Sequence, residues 1–358
     1  MRIVVDVSPL SHPRTGIGNY VRGSLLGIAE ASGGDHELVA FAPASARGRR
    51  EIDSALDGVA LQRKLPVVPA AHALRTLWSR AGAPPAERLL GRFDVLHFSD
   101  WMYPPQRAGI RSTMVHDLVP IHFPEWVHAR TRRMHGAKYR HAARTCDVVI
   151  VNSRFTGDDV ADTLGVPHDR IHVAYPGVGA GFTAEGDRLD LGRPYLLTVA
   201  TLEPRKNLAV LVEAYGRLDR SELALAVAGA AGWGAQTALG GLEAIIRLGY
   251  PPDAELPRLY RGASAFVYPS LYEGFGMPVL EAMACGVPCV VSSHPSLDEA
   301  CGDAAVRADP HDPDALAHAI GRALAERDEL VPRGLAHARS FTWLENGHAH
   351  LTAWQAAR

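Results

Sequence analysis

Apolar positions along this chain gather into short runs, each followed by a turn and then by a stretch whose apolar residues recur every three or four positions. The runs occupy residues 1–7, 36–44, 63–68, 94–98, 111–115 and 147–152, and then 195–199, 223–228, 244–248, 265–268 and 287–291. Helical periodicity covers 20–31, 126–144, the segment after Ser153, 208–218, 253–262, 278–285, 315–327 and 341–358, with a mixed helix at 72–90 broken around Pro84 and Pro85. Near-continuous apolar runs suit strands buried on both faces, so the alternation predicts parallel sheets assembled from βαβ units.

The clearest unit is 265–292, AFVYPSLYEGFGMPVLEAMACGVPCVVS. A strand at 265–268 stops at Pro269, a loop carries Glu273, Gly274 and Gly276, and Pro278 is expected at the first helical position, where a missing N–H costs nothing. The helix ends at Gly286, and the next strand follows. Its loop therefore lies at the carboxyl edge of a parallel sheet, where free helix N–H groups meet anions. Glu273 and Glu281, eight residues apart, flank the loop, with Glu281 expected in the first helical turn. Glycines let a ligand approach the main chain. Amides for a phosphate and carboxylates for hydroxyls suit a sugar attached to a phosphate, against the competing view of Glu281 as a favourable charge on a helix dipole.

Length changes this picture by doubling it: 358 residues exceed what one core usually supports. The glycine- and proline-rich stretch from Tyr175 to about Arg193 is the natural divider, giving expected domains at 1–176 and 177–340, with the final helix 341–358. Composition is that of a soluble globular protein, with 47% hydrophobic and 21% charged residues. A net charge of −2 gives no argument for nucleic acid. No apolar stretch reaches the roughly 18 residues of a membrane span. The start reads as a first strand and not a signal peptide, so a cytoplasmic protein is expected. Cys146, Cys285, Cys289 and Cys301 lack metal spacing and read as small buried residues without disulfides.

Other strand ends carry candidate chemistry. Gly16-Ile17-Gly18 follows the first strand, but Val21 stands where a dinucleotide fingerprint needs its third glycine, which disfavours an NAD-dependent oxidoreductase. Gly16 is then either part of a phosphate-facing loop or an ordinary turn. Asp100, Trp101, Met102 and Tyr103 follow the strand 94–98, and their aromatic rings suit stacking on an acceptor's apolar face, or a loop held down by its own rings. His116 and Asp117 close the strand 111–115 at the edge where polar residues are usually functional. Arg205 and Lys206 follow the strand 195–199 and place a guanidinium fork and an ammonium where an anion is already favoured. The basic stretch 126–144 carries Arg130, Arg132, Arg133, Lys138, Arg140 and Arg144 without an acid, a face for anionic lipid or simply for water. Asp309 to Asp314 mimics a metal motif but precedes a helix, so Asp312 or Asp314 reads as its cap. Similarly, Asp253 reads as the cap of 253–262.

Glu273-Gly274-Phe275-Gly276 followed by Glu281 resembles the signature of the retaining glycosyltransferases of family 4, and further motifs follow in the family's order. The resemblance implies a GT-B fold, an α/β architecture of two Rossmann-like domains facing across a cleft, the last helix returning to the first domain. It implies that Glu273 contacts the donor sugar and Glu281 the ribose, that Arg205 and Lys206 clamp the diphosphate, and that His116 reaches the sugar or its phosphate. Gly16, Tyr250, Gly274, Phe275 and Gly276 join the donor side, although Pro251 stands where the family has a residue with an N–H. Tyr20, Asp100, Trp101 and Asp117 fall on the acceptor side.

The expected reaction moves a hexose from a nucleoside diphosphate sugar to a hydroxyl of a glycan or lipid-linked acceptor with the anomeric configuration retained. No cofactor or divalent metal is expected. The TGIGNY and VHDLVPIHFPEW segments look like bacterial mannosyltransferases, which favours GDP-mannose over UDP-glucose or dTDP-rhamnose. The enzyme is expected in the cytoplasm or at the inner face of a membrane. An epimerase of the same fold and a non-catalytic sugar-nucleotide-binding module are the alternatives.

Overall fold

The computed structural model describes residues 1–12, 16–68, 74, 77–78, 83–99, 104–219, 223–230 and 245–358. The chain divides into two compact units. The first comprises Met1–Ile121, Ala129–Gly177 and Thr342–Arg358, and the second His122–His128 and Val178–Phe341. Each is a parallel sheet with helical crossovers.

The first unit holds β1 (Arg2–Asp6), β2 (Glu37–Phe41), β3 (Gln62–Lys64), β4 (Val95–Phe98), β5 (Ile110–Val115), β6 (Val148–Val151) and β7 (Ile171–Val173). Their order is β3-β2-β1-β4-β5-β6-β7, all parallel. The chain reverses direction across the sheet between β1 and β4, and Asp6 sits at that point. Its carboxylate accepts from the N–H and hydroxyl of Ser8 (2.9 and 2.5 Å) and from those of Ser99, tying the two strand ends together. The third strand is shorter than the run 63–68 predicted. Pro66 has no N–H to continue the ladder, and pairing resumes only as a single bridge between Ala44 and Val67.

The helix Trp343–Ala356 packs on Gly16–Ser32 within this unit. Two glycines make the approach possible: a Cβ on Gly27 would lie 1.7 Å from Trp343 O, and one on Gly347 2.1 Å from Gly27 O. Polar anchors fix the helix. The Asn346 side-chain amide donates to Ala174 O (3.1 Å), Tyr175 O (2.7 Å) and the Tyr20 hydroxyl (3.1 Å), and Trp354 Nε1 donates to Ser112 Oγ (2.9 Å). Burial pushes His350 on the same helix down to about 4, so it stays neutral.

The basic helix runs over Ala129–Thr145, because Pro124–Trp126 forms a separate turn. Lys138, expected on its cationic face, is buried and donates to Met114 O. Arg130, Arg132, Arg133, Arg140 and Arg144 remain exposed. Among the described residues no helix is long and apolar enough to cross a membrane.

The second unit holds β8 (Tyr195–Val199), β9 (Ala224–Ala228), β10 (Ile245–Gly249), β11 (Ala265–Tyr268), β12 (Cys289–Ser292) and β13 (Ala305–Ala308), in the order β10-β9-β8-β11-β12-β13. Leu196, Val227, Val267 and Val290 from the sheet meet Leu208, Leu211, Tyr215, Leu316 and Ile320 from helices in one core. All four cysteines are buried free thiols. The helix Pro313–Ala325 is capped by Asp312, whose Oδ1 accepts from Asp314 N (2.8 Å) and Ala315 N (3.1 Å). Asp253 does not cap the helix before β11. That helix is Leu256–Gly262, it starts after Glu255 and it has no side-chain cap.

Candidate active site

The reversal in the second sheet falls between β8 and β11, which are hydrogen-bonded neighbours although far apart in sequence. Ligands bind at such a point in open α/β sheets. The segments leaving the two carboxyl ends, residues 200–207 and 269–276, are laced together: Leu271 N–H donates to Arg205 O (2.8 Å), and the Asn207 amide donates to Pro269 O (3.2 Å). Arg205 and Lys206 lie in a short turn, Pro204–Lys206, closed by Asn207 in the left-handed region at φ 55°.

This lacing brings Arg205, Lys206 and Glu273 into direct contact. Lys206 Nζ is 2.5 Å from Glu273 Oε1, and Arg205 Nη1 is 2.7 Å from Glu273 Oε2. Lys206 also donates to the Tyr268 hydroxyl (2.6 Å), and Arg205 Nε donates to Glu203 (3.0 Å). Burial alone would push the Glu273 carboxyl up, but the charges of Arg205 and Lys206 outweigh it and hold it at about 2. Burial, with Arg205 beside it, lowers Lys206, and Glu273 opposes that shift. The ammonium is therefore not the mobile point charge its residue type suggests. A buried lysine needs partners to stay charged, and these partners fix its position.

Glu281 departs from expectation. Gly276 is the residue before the helix, at φ 105°, where a Cβ would lie 2.6 Å from Leu297 Cδ2, so the helix begins at Met277 and runs to Ala284. Pro278 is its second position, and Glu281 falls in the second turn. There the carboxylate is buried and accepts from the Tyr260 hydroxyl (3.0 Å). Burial pushes it up to about 7, only partly offset by that hydrogen bond. Phe275 is also buried, its ring 5.6 Å from Phe341, so a donor contact would come from its main chain. Tyr250 follows β10 with its side chain 48% exposed.

In the first unit, His116 and Asp117 follow β5. The His116 ring meets Tyr20 edge-on at 5.1 Å and borders a cavity of about 20 Å³, which is too small for a sugar. Asp117 Oδ1 accepts from Val119 N (3.1 Å), so it caps the next turn. Tyr20, expected on the acceptor side, is instead a packing residue: it is buried and its hydroxyl donates to Ala174 O (2.7 Å). Gly16 opens its helix with no atom crowding it. Asp100, Trp101, Met102 and Tyr103 lie outside the described residues.

Glu203, Tyr260 and Tyr268 were not singled out from the sequence, nor was a pair beyond β12. There Ser296 Oγ accepts from the backbone N–H of Glu273 (3.0 Å) and lies 2.8 Å from His294 Nδ1. The only advance signal was Glu203, two residues before Arg205.

Comparison with known proteins adds the following. The family description "Glycosyl transferases group 1" matches residues 184–334, and "Glycosyltransferase Family 4" matches residues 15–180. The chain is 32% identical to the O-antigen chain mannosyltransferase B of Escherichia coli over 96% of either protein. Its fold is similar to that of sucrose-phosphate synthase from Thermosynechococcus elongatus (TM-score 0.69, 18% identity, 99% of this chain and 98% of that one). It is equally similar to that of Anabaena HepE in complex with UDP-glucose (TM-score 0.69, 16% identity, 98% of this chain and 99% of that one).

Proposed function

This chain belongs to the glycosyltransferases of family 4, and from that premise we propose that it moves mannose from GDP-mannose to a hydroxyl of a glycan or lipid-linked acceptor, with retention at the anomeric carbon. The observation that carries the reading is the contact of Arg205, Lys206 and Glu273 at the point where the second sheet reverses. The near full-length likeness to a mannosyltransferase supports the choice of sugar, and the UDP-glucose held by a protein of similar fold supports a nucleotide-sugar donor.

In this reaction the bond from the anomeric carbon to the diphosphate oxygen breaks, and a bond to the acceptor oxygen forms on the same face. The acceptor proton leaves with the departing phosphate oxygen. Charge grows on the diphosphate as the old bond breaks, and N–H donors already in position stabilise it without rearrangement. Arg205 and Lys206 supply those donors, and the reaction as we read it calls on no divalent metal. Glu273 accepts from sugar hydroxyls and Glu281 from the ribose. Gly274, Gly276 and Tyr250 complete the donor side.

Incubation with GDP-mannose, UDP-glucose and dTDP-rhamnose and candidate acceptors tests the reading. Release of GDP together with a mannosylated product is expected. Turnover only with another nucleotide sugar overturns the donor, conversion of donor without acceptor points to an epimerase, and binding without product points to a binding module. The exposed arginines of the helix Ala129–Thr145 support a reading in which the enzyme rests on anionic lipid at the cytoplasmic face of a membrane. Co-sedimentation with vesicles regardless of anionic lipid content would remove that part.

A further inference from the structure

We propose that His294 is a positioning residue for the donor site: through Ser296 it holds the main chain of Glu273 where the carboxylate meets Arg205 and Lys206. This rests on the reading of Glu273 as a donor-binding residue given above.

The hydrogen bonds fix their own direction. Ser296 N–H donates to His294 Nδ1 (3.2 Å), so Nδ1 is an acceptor and the imidazole proton is on Nε2. Ser296 Oγ accepts from Glu273 N–H (3.0 Å), and its own proton points to the same Nδ1, 2.8 Å away. The relay runs from Glu273 main chain to Ser296 hydroxyl to imidazole. Glu273 N–H and Ser296 are buried, and an unpaired buried donor is costly, so the acceptor chain keeps the loop in one conformation. The Tyr272 ring, beside Glu273, lies 5.7 Å from the imidazole. A proton added at Nδ1 would oppose the Ser296 N–H, break that bond and turn the hydroxyl into an acceptor, which loosens the hold on Ser296. Charged groups facing His294 among the described residues include Arg307, whose Nη2 donates to His294 O (3.1 Å) and to Asp298 Oδ1 (2.7 Å), Asp298 itself and Glu273. Burial is the main cause that lowers the imidazole below its ordinary value, which keeps the relay intact near neutrality.

His294→Asn separates this role from simple packing, because Asn Oδ1 is an acceptor that does not titrate and is favoured at a cap. Three variants are compared: His294→Ala, His294→Asn and Ser296→Ala. Wild-type kcat is expected to fall more steeply in acid than that of H294N, because only the imidazole titrates there. H294A and S296A lose about tenfold in kcat, the worth of one hydrogen bond, whereas H294N recovers most of it. Hydrogen exchange of the peptide spanning 271–276 reads the same relay without turnover: exchange quickens in H294A and S296A, and H294N stays near wild type. Equal exchange in all four proteins, or an acid limb as steep in H294N as in wild type, overturns the inference. A wild type inactive on every nucleotide sugar, with exchange behaving as stated, sinks the function and leaves the positioning role standing.

Discussion

Replacing Glu273 with Gln removes one charge from the centre of the ion cluster and leaves its shape. The carboxyl is held at about 2 in the folded chain against an ordinary 4.5. At about 1.4 kcal/mol per pKa unit, this difference corresponds to ~3 kcal/mol of stability at neutral pH. Breaking a buried pair by removing one partner typically costs about 3–5 kcal/mol, which agrees. The sign follows from the depressed value. The contribution is fully present above about pH 5 and is lost as pH falls toward 2, so at pH 3 less than half of it remains. Urea unfolding of wild type and E273Q, followed by circular dichroism and fitted to the transition of the second unit, measures the difference at both pH values. E273Q should be less stable by ~3 kcal/mol at pH 7, with the gap narrowing by more than half at pH 3. A variant as stable as wild type at pH 7, or a gap that widens in acid, refutes the reasoning.

Lys206→Ala should lower kcat by about 10²–10³, the usual loss on removing one preorganised donor. Arg47→Ala, at a largely exposed cation on another helix, should leave it unchanged, and equal rates for the two would count against the clamp. Glu281 is raised from 4.5 to about 7, so its contribution is present below about pH 4.5 and is lost as pH rises through 7. Glu281→Gln should therefore stabilise the protein by about 3 kcal/mol at pH 8 and by under about 1 at pH 5, and melting curves that shift equally at both would contradict this. Asn346→Ala removes one donor each from the carbonyls of Ala174 and Tyr175, the first of which keeps the Tyr20 hydroxyl, and should cost about 1–3 kcal/mol, read as a lower urea midpoint of the first unit.

Strands buried on both faces were legible as short, largely apolar runs: β6 and β11 are apolar and buried at every position, and β4 and β12 are buried throughout with one polar residue each, His97 and Ser292. The edge strand β13 was not, because Arg307 breaks its short apolar run, and Arg307 is there to hold His294 and Asp298. Arg205, Lys206 and Glu273 were readable from residue type at strand ends. Their mutual pairing was not, since it depends on which strands are neighbours. Lys138 looked like one more cation in a basic run, and only the packing of its helix on β5 takes it inside. The relay from His294 to Glu273 left no mark at all. The group it holds is a donating backbone N–H, which every residue but proline possesses, 23 positions from Ser296 in the chain.

The formal charges of Arg205, Lys206, Glu203 and Glu273 cancel, so under the proposed function a diphosphate would be held by directed N–H groups at contact and not by a long-range field. That arrangement follows from burial. A lysine withdrawn from water stays charged only beside an anion, and the anion that serves here is the carboxylate expected to meet the sugar. Glu273 thus has two tasks with different signatures. One is to keep Lys206 charged and fixed, which appears in stability with or without substrate. The other, under the proposed function, is to orient the donor, which would appear only in turnover. E273Q disturbs both, so its rate must be compared at equal folded fraction. H294N leaves the carboxylate in place and tests its placement alone, which is why the two variants together separate the strength of the cluster from its geometry.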